Sequence, residues 1–183
     1  MMPDRLPLFA FASPGAGDQW GAVNDGVMGG VSDGRFRITG EGTLEFHGTL
    51  SLANGGGFAS VRSRPRDLGL RAGDALVARV RGDGRAYQLN LYTAARRVGS
   101  SYRAPLPTRA GEWIEACIPL EEFAATSFGQ VRAGAGPVDP ASVTSLGFFL
   151  ADGNPGPFRL EVAWIEVLRR PDPPGARARS GAD

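Results

Sequence analysis

The chain has 183 residues, 42% of them hydrophobic, and its formal net charge is +1. This length suits one domain with its own apolar core, and the near-neutral charge excludes a general electrostatic attraction to nucleic acid or anionic membranes. A single cysteine, Cys117, and a single histidine, His47, exclude an intramolecular disulfide and a Cys/His zinc site.

The N-terminal half predicts short strands joined by glycine-rich turns. The apolar stretch near the start predicts a first strand and not a signal peptide, because Pro7 interrupts it. In residues 35–50 apolar side chains alternate with polar ones, which predicts further strands and places His47 on the side opposite Phe46. The run NGGG at 54–57 predicts a turn with positive φ, and GFASVRSR predicts the strand that follows it.

The C-terminal half continues the same pattern. DALVARVR and RAYQLNLY flank Gly82-Asp83-Gly84, which predicts a β-hairpin. Further strands are predicted for EWIEACIPL, TSLGFFLAD and FRLEVAWIEVL, which gives about eight in all. One short helix is predicted near LEEFAATSF. The patterns predict an all-β fold, an antiparallel β-sandwich or jelly roll over residues 5–168. Residues 169–183, rich in Arg, Pro and Gly, have almost nothing to bury and predict a disordered tail.

The stretch VNDGVMGGVSDGR, residues 23–35, first suggests a phosphate-binding loop. It lacks the glycine spacing of a dinucleotide-binding fingerprint and the Gly-Lys step of a P-loop, and a strand follows it where a helix would be needed. We therefore interpret it as a turn system whose polar side chains bond to nearby backbone amides. The exposed members of this loop are predicted to form a rim that contacts a partner, and we take these to be Asn24, Asp25 and Met28. The residues singled out in the loop are Asn24, Asp25, Met28, Gly29, Gly30 and Ser32.

The two-residue period of the strands also predicts a polar sheet face. A combination of amides, guanidinium groups and an aromatic ring suits a sugar or a polar protein surface, and a normal solvated face is the alternative. All 20 basic residues are arginines, which fits guanidinium recognition of carboxylates or phosphates, although a GC-rich genome explains the same bias. The predicted face carries Arg62, Arg79, Arg81, Gln88, Asn90 and Tyr92.

No catalytic chemistry is predicted from the residues. Any Ser-His-Asp or Cys-His arrangement would need His47, which is predicted to be an ordinary solvent-facing strand residue. No spacing singles out a pair of carboxylates, and no apolar run approaches the roughly 20 residues of a transmembrane helix. We expect no enzyme activity, no cofactor, no metal and no nucleic acid partner, while a calcium ion held by residues such as Asp25 and Asp152 stays open.

An ordered series of motifs carries a resemblance to a known family. The series is Trp20, VNDGVMGGVS, NGGGFASVR, RGDGRAYQL, GEWIEACIP and SLGFFLADGNPGPFRLEVAWI. Together these motifs resemble the complex I intermediate-associated protein family, the domain of a mitochondrial assembly factor for respiratory NADH:ubiquinone oxidoreductase. The resemblance covers residues 8–167, and NDGVMGG and GGFASVR are its most specific parts.

The resemblance implies a galactose-binding-like β-sandwich, a jelly roll similar to that of carbohydrate-binding modules. It also implies a non-catalytic, chaperone-like module that binds proteins, such as complex I subunits or assembly intermediates. The polar sheet face supports an alternative function, the binding of a carbohydrate or small ligand. No Arg/Ser-rich presequence or fused dehydrogenase-like domain is seen. We therefore expect a compact bacterial member in the cytoplasm, with membrane contact only through its partners.

Overall fold

The computed structural model describes residues 2–94, 100–127 and 130–171, which form two packed antiparallel sheets. The predicted tail from residue 172 onward lies outside the described residues, as does the side chain of Met28. The strands are β1 (Asp4–Ala10), β2 (Trp20–Ala22), β3 (Asp33–Ile38), β4 (Leu44–Leu50), β5 (Ala59–Ser63), β6 (Ala75–Arg81), β7 (Tyr87–Thr93), β8 (Ser100–Pro105), β9 (Trp113–Pro119), β10 (Ala124–Ser127), β11 (Gln130–Val131), β12 (Val143–Leu150) and β13 (Gly156–Arg169).

The two sheets confirm the predicted all-β sandwich. The six-stranded sheet has the order β3-β4-β13-β6-β9, with β1 also paired to β13, and the seven-stranded sheet has the order β11-β10-β8-β7-β12-β5-β2. The helical elements of the described residues are short 3-10 turns. These turns span Ala16–Gln19, Asp25–Met28, Ala53–Gly55, Leu120–Glu122 and Pro140–Ser142.

The long strand β13 is central to the six-stranded sheet. Its first half pairs with β4 and its second half pairs with β1, while β6 runs along its other edge. The register shifts between Val162 and Trp164, at the point where β13 passes from one partner to the other. The strand therefore holds both ends of the described chain in one sheet, because Asp4 of β1 pairs with Arg169.

The core lies between the sheets and follows the predicted alternation. Along β7 the side chains of Leu89 and Leu91 are fully buried in it. Trp20, next to the glycine-rich loop, stacks on Phe148 of β12 with ring centroids 6.1 Å apart and meets Phe9 of β1 edge-on at 5.0 Å. Trp20 therefore links one strand of each sheet through aromatic contacts.

The hairpin predicted at Gly82-Asp83-Gly84 is wrong. β6 pairs with β9 and β13, whereas β7 pairs with β8 and β12, so this turn carries the chain from one sheet to the other. The turn is anchored on β13, because the Asp83 carboxylate accepts hydrogen bonds from the backbone N–H of Arg159 at 2.7 Å and from the Tyr87 hydroxyl at 3.0 Å.

The helix predicted in LEEFAATSF is also wrong for most of its length. Only Leu120–Glu122 form a 3-10 turn, and the residues after Phe123 form β10, which pairs with β8. Burial of Phe123 and a 2.9 Å hydrogen bond between the Thr126 and Ser101 hydroxyls favour this extended course. The short strands β2, β8, β10 and β11 have no counterpart in the sequence prediction. At the C-terminal boundary, Arg169 is the last residue of β13 and not part of a tail.

The loop that first suggested phosphate binding encloses a buried carboxylate. Asp25 is fully buried and accepts hydrogen bonds from the Ser32 hydroxyl at 2.6 Å and the Ser32 N–H at 2.9 Å. It also accepts from the N–H groups of Gly57 at 2.7 Å and Phe58 at 3.3 Å. Ser32 leads into β3 and Phe58 leads into β5, so one carboxylate joins the starts of strands in opposite sheets.

Burial by itself would raise the pKa of Asp25, but the hydrogen bonds from Ser32, Gly57 and Phe58 outweigh it and hold the pKa below its ordinary value. The side chain is therefore a buried anion satisfied by neutral donors. This placement contradicts the prediction that Asp25 is exposed on a partner-contacting rim. The Asp25 carboxylate has a structural role and is not exposed to a partner.

Gly30 of this loop and Gly56 of the NGGG turn leave room for that carboxylate. A Cβ atom at Gly30 would lie 2.3 Å from Cγ of Asp25, and a Cβ atom at Gly56 would lie 2.5 Å from its Oδ2. Gly29 ends the preceding 3-10 turn with φ 85°, which a residue with a side chain rarely adopts. Gly30 and Gly56 thus allow close packing around Asp25, whereas a Cβ atom at Gly29 would meet nothing within 4 Å.

Asn24 makes a second link between the sheets. Its Nδ2 donates to the carbonyl of Gly34 in β3 at 2.9 Å, and its Oδ1 accepts from the N–H of Ser60 in β5 at 3.4 Å. The side chain is half-buried. Asn24 therefore acts first as a structural bridge.

Asp152, the other carboxylate considered for calcium, is bonded to Arg85. The guanidinium group donates through Nε at 2.9 Å and through a terminal nitrogen at 2.7 Å, and both side chains are largely buried. Arg85 also donates to the carbonyls of Gly156 and Pro157 at the start of β13. Within the described ranges, no group of three or more His, Cys, Asp or Glu side chains is arranged to hold a metal ion.

Asp25→Asn is expected to lower the free energy of unfolding by about 3 kcal/mol at neutral pH, because an amide NH2 would face buried N–H and O–H donors. The pKa of Asp25 is lowered on folding, so its contribution is fully present above the unfolded value near 3.8 and is lost as the pH falls through the folded value. Urea denaturation at neutral and acidic pH should show the difference between wild type and variant narrowing in acid. Asp33→Asn, at an exposed pair with Arg35, is the control; an equal loss in the control would contradict this account.

Gly30→Ala is expected to lower the free energy of unfolding by about 2–3 kcal/mol, because its methyl group would collide with the Asp25 carboxylate. Gly26→Ala is the matched control in the same loop, since a Cβ atom there meets nothing within 4 Å. Thermal and urea unfolding of the two variants measure the contrast. Equal stability of the two would show that the carboxylate does not need this space.

Candidate functional site

The predicted polar face is divided between the two sheets. Arg62, Gln88, Asn90 and Tyr92 lie on β5 and β7 of the seven-stranded sheet, with side chains opposite the core. Arg79 and Arg81 lie on β6 and point outward from the six-stranded sheet. The prediction of one common face is therefore wrong, because the turn after Arg81 crosses between the sheets.

The outer face of the six-stranded sheet has paired charges. Arg81 forms a 2.8 Å ion pair with Glu161 of β13, and Arg159 pairs with both Glu161 at 2.8 Å and Glu45 at 2.9 Å. Arg79 and Arg81 also lie over the ring of Trp113. Arg37 also pairs with Glu45, so three arginines of this face share two carboxylates and each of them has a carboxylate partner in the same chain.

The outer face of the seven-stranded sheet is built differently, from arginines that reach across strands. Arg62 of β5 extends over β12 and places its guanidinium carbon 4.4 Å from the centre of the Tyr92 ring in β7. Gly147 of β12 lies between these strands, opposite both Arg62 and Asn90. With no side chain at Gly147, the path of Arg62 across β12 is open.

Arg103 makes the reciprocal crossing from the other side. It starts from β8, extends over β7 and places its guanidinium carbon 3.8 Å from the centre of the Phe149 ring in β12. Phe149 in turn stacks on Phe58 with centroids 5.4 Å apart. One face of each ring, Tyr92 and Phe149, is therefore covered by a guanidinium group.

Asn90 connects the two halves of this surface. It is 1% exposed; its Oδ1 accepts from Nε of Arg103 at 2.8 Å, and its Nδ2 donates to the Tyr92 hydroxyl at 3.1 Å. A buried amide with both ends bonded fixes the positions of its neighbours. We call the set Arg62, Asn90, Tyr92, Arg103 and Phe149 the arginine face.

The arginine face has positive charge without a carboxylate partner among the described residues. Arg62 and Arg103 form no ion pair with any described Asp or Glu, and Nε of Arg62 is buried without a hydrogen-bond partner. Burial lowers the pKa of Arg103, and the nearby charge of Arg62 lowers it further, against an opposing effect of Tyr92. This surface therefore suits an anionic or strongly polar ligand.

Two members of the arginine face escaped the sequence prediction. Phe149 could have been found, because Phe148 and Leu150 are the core residues of β12 and alternation then turns Phe149 outward. Arg103 lies in a short strand whose sequence, SSYRAP, has no clear alternation of apolar residues. Gln88 lies beside this surface, opposite Phe149 in the register.

No helix in the described part of the chain is long and apolar enough to cross a lipid bilayer. His47 is half-buried on β4, whose buried core residues are Leu44, Phe46 and Leu50.

Comparison with known proteins gives one family match. A model of the family described as complex I intermediate-associated protein 30 (CIA30) matches residues 9–162. The mitochondrial complex I intermediate-associated protein 30 of Drosophila melanogaster is 30% identical over 180 residues, covering 86% of this chain and 61% of the fly protein. The Mus musculus protein of the same name is 30% identical over 174 residues, covering 84% of this chain and 53% of the mouse protein. The chain thus spans between half and two thirds of the length of these relatives.

Solved structures with the same fold include carbohydrate-binding modules. The family 11 module from Clostridium thermocellum, in complex with a β-1,3-1,4-mixed-linked tetrasaccharide, has a TM-score of 0.64 at 14% identity, covering 92% of this chain and 97% of the module. An agarase has a TM-score of 0.63 at 14% identity, covering 91% of this chain and 25% of the agarase. At such low identity the likeness shows the fold alone, and it confirms the predicted galactose-binding-like sandwich.

Arg62→Met is expected to change the free energy of unfolding by no more than about 1 kcal/mol, because loss of the contact with Tyr92 is offset by removal of a buried, unpaired N–H. Arg85→Met is the contrast and should cost about 3–5 kcal/mol, because it leaves the buried Asp152 carboxylate without its partner. Urea denaturation of both variants measures the difference. A large loss for Arg62→Met would assign Arg62 to the fold and not to a binding surface.

Proposed function

The chain belongs to the complex I intermediate-associated protein 30 family, and on this premise we propose that it is a non-catalytic module that binds protein partners during assembly of respiratory complex I. The insect and mammalian relatives are both named mitochondrial complex I intermediate-associated protein 30. Because the chain spans only part of their length, the role of the whole relative is extended to this chain as a proposal.

The arginine face is the observation that carries this proposal within the structure. Arginine and tyrosine are enriched among the residues that dominate the energy of protein interfaces. Here Arg62 and Arg103 are held in place by aromatic stacking, and Asn90 is locked between its neighbours. A surface that is already ordered loses little side-chain entropy on binding. We therefore place the partner contact on this face.

Carbohydrate binding is the second candidate, and it is supported by the shared fold and by the amide and ring groups of Gln88, Asn90 and Tyr92. Two observations weaken it. Arg62 and Arg103 cover ring faces of Tyr92 and Phe149 on which a sugar would stack, and the side chain of Asn90 is already bonded at both ends. A neutral glycan would have to displace these contacts.

The cellular location of the protein is inferred from the partners proposed above. We propose a location in the cytoplasm, with contact to the membrane made through the complex I intermediates that it binds. Fractionation of cells of the source organism should then recover the protein in the soluble fraction, with a minor part bound to membranes that contain complex I subunits.

Affinity capture with the full chain, from cytoplasm and detergent-treated membranes, is expected to recover complex I subunits. Arg62→Gln with Arg103→Gln should lower that recovery by at least about tenfold, because two charged contacts are lost. Arg35→Gln with Arg109→Gln is the matched control, since it removes the same charge from exposed residues paired to Asp33 and Glu112. Circular dichroism verifies that each variant is folded.

A strain without the protein is expected to accumulate incomplete complex I and to lose NADH:ubiquinone oxidoreductase activity. Normal complex I in that strain, together with no subunit captured, would overturn the assembly function. The carbohydrate alternative is tested by unfolding the protein with and without mixed-linked glucan oligosaccharides. A ligand at 100 times its Kd raises the free energy of unfolding by about 2.7 kcal/mol. Such an increase with a glucan would favour the carbohydrate alternative.

A further inference from the structure

The two arginines of the arginine face are directed toward the same central strands. The order of the sheet places β7 and β12 side by side, with β8 next to β7 and β5 next to β12. Arg62 leans inward from β5 to Tyr92, and Arg103 leans inward from β8 to Phe149. Both guanidinium groups therefore lie above the β7–β12 pair, and the charge of Arg62 contributes to lowering the pKa of Arg103.

The outer ends of both guanidinium groups are free. Arg103 uses Nε to donate to Asn90, and neither arginine has a recorded partner at its terminal nitrogens among the described residues. Both side chains are half-buried, and Nε of Arg62 is buried without a hydrogen-bond partner. The rings of Tyr92 and Phe149 hold the guanidinium groups in place without occupying their terminal N–H groups as hydrogen-bond donors to the described residues.

Two guanidinium groups on one sheet face, without a carboxylate partner among the described residues, favour binding of an anion. A guanidinium edge matches a carboxylate, because two parallel N–H donors meet two oxygens. Carboxylates occur on acidic protein segments and on uronic acid sugars. The protein source fits better here, because Arg62 and Arg103 cover the ring faces that a sugar would need.

We propose that the arginine face binds carboxylate groups of an acidic segment in the protein partner, through the guanidinium groups of Arg62 and Arg103 that lie over the rings of Tyr92 and Phe149. This inference rests on the proposed function for the identity of the partner, and names the chemistry that the partner must present. It separates this face from the outer face of the six-stranded sheet, where Arg81 and Arg159 already have carboxylate partners in the same chain.

Binding of a labelled hexaglutamate peptide to the purified full chain, measured by fluorescence anisotropy at low ionic strength, tests the proposal. The peptide is expected to bind, and hexaglutamine is not. Arg62→Gln and Arg103→Gln should each weaken hexaglutamate binding by at least about tenfold, while Arg35→Gln should leave it unchanged. Arg62→Lys keeps the charge but lacks the paired donors, so it should also weaken binding. Thermal unfolding of every variant establishes that the fold is retained.

Three results would overturn the proposal: no binding of hexaglutamate, equal binding by the double glutamine variant, or tighter binding of trigalacturonate than of hexaglutamate. The last result would assign the face to an acidic sugar. The peptide assay needs no complex I, so the two proposals fail separately. Peptide binding together with normal complex I in the deletion strain and no captured subunit would reject the assembly function alone. Capture of complex I subunits without peptide binding would reject the carboxylate site alone.

Discussion

The buried Asp25 carboxylate is the interaction on which the arrangement of the two sheets depends. A buried anion is costly unless its oxygens are satisfied, and here the donors come from residues as far apart in the chain as Ser32 and Phe58. The carboxylate is therefore satisfied only when the starts of β3 and β5 are together. Gly30 and Gly56 exist at these positions because any side chain would occupy the space of the carboxylate. The loop that is most specific to the family is therefore needed for the fold, because its buried carboxylate bonds to N–H groups of the same chain.

Local patterns predicted the strands and their inward faces well, since alternation is a property of neighbouring residues. Leu89 and Asn90 were assigned to opposite faces correctly for that reason. The same reasoning failed at Gly82-Asp83-Gly84, because the chemistry of a tight turn is the same in a hairpin and in a crossing between sheets. Asp25 was misjudged as exposed because its donor at Gly57 lies 32 residues away. Arg103 was missed because its strand has no clear period.

The two outer faces show how the same residue type is used in opposite ways. On the six-stranded sheet, Arg81 and Arg159 form ion pairs with Glu161, and Arg159 also pairs with Glu45. On the seven-stranded sheet, Arg62 and Arg103 are ordered by aromatic rings, which hold a guanidinium group without cancelling its charge. The rings thus fix the position of each guanidinium group and leave its charge without a carboxylate partner among the described residues.

The strand order has a consequence for synthesis of the protein. The last two strands to be made, β12 and β13, are interior strands of the two sheets: β12 separates β7 from β5, and β13 separates β4 from β6. Before they emerge from the ribosome, the earlier strands cannot close either sheet, and their edges stay open to other chains. Folding of this module is therefore completed only once β12 and β13 are available, and loss of these two strands would remove the middle of both sheets.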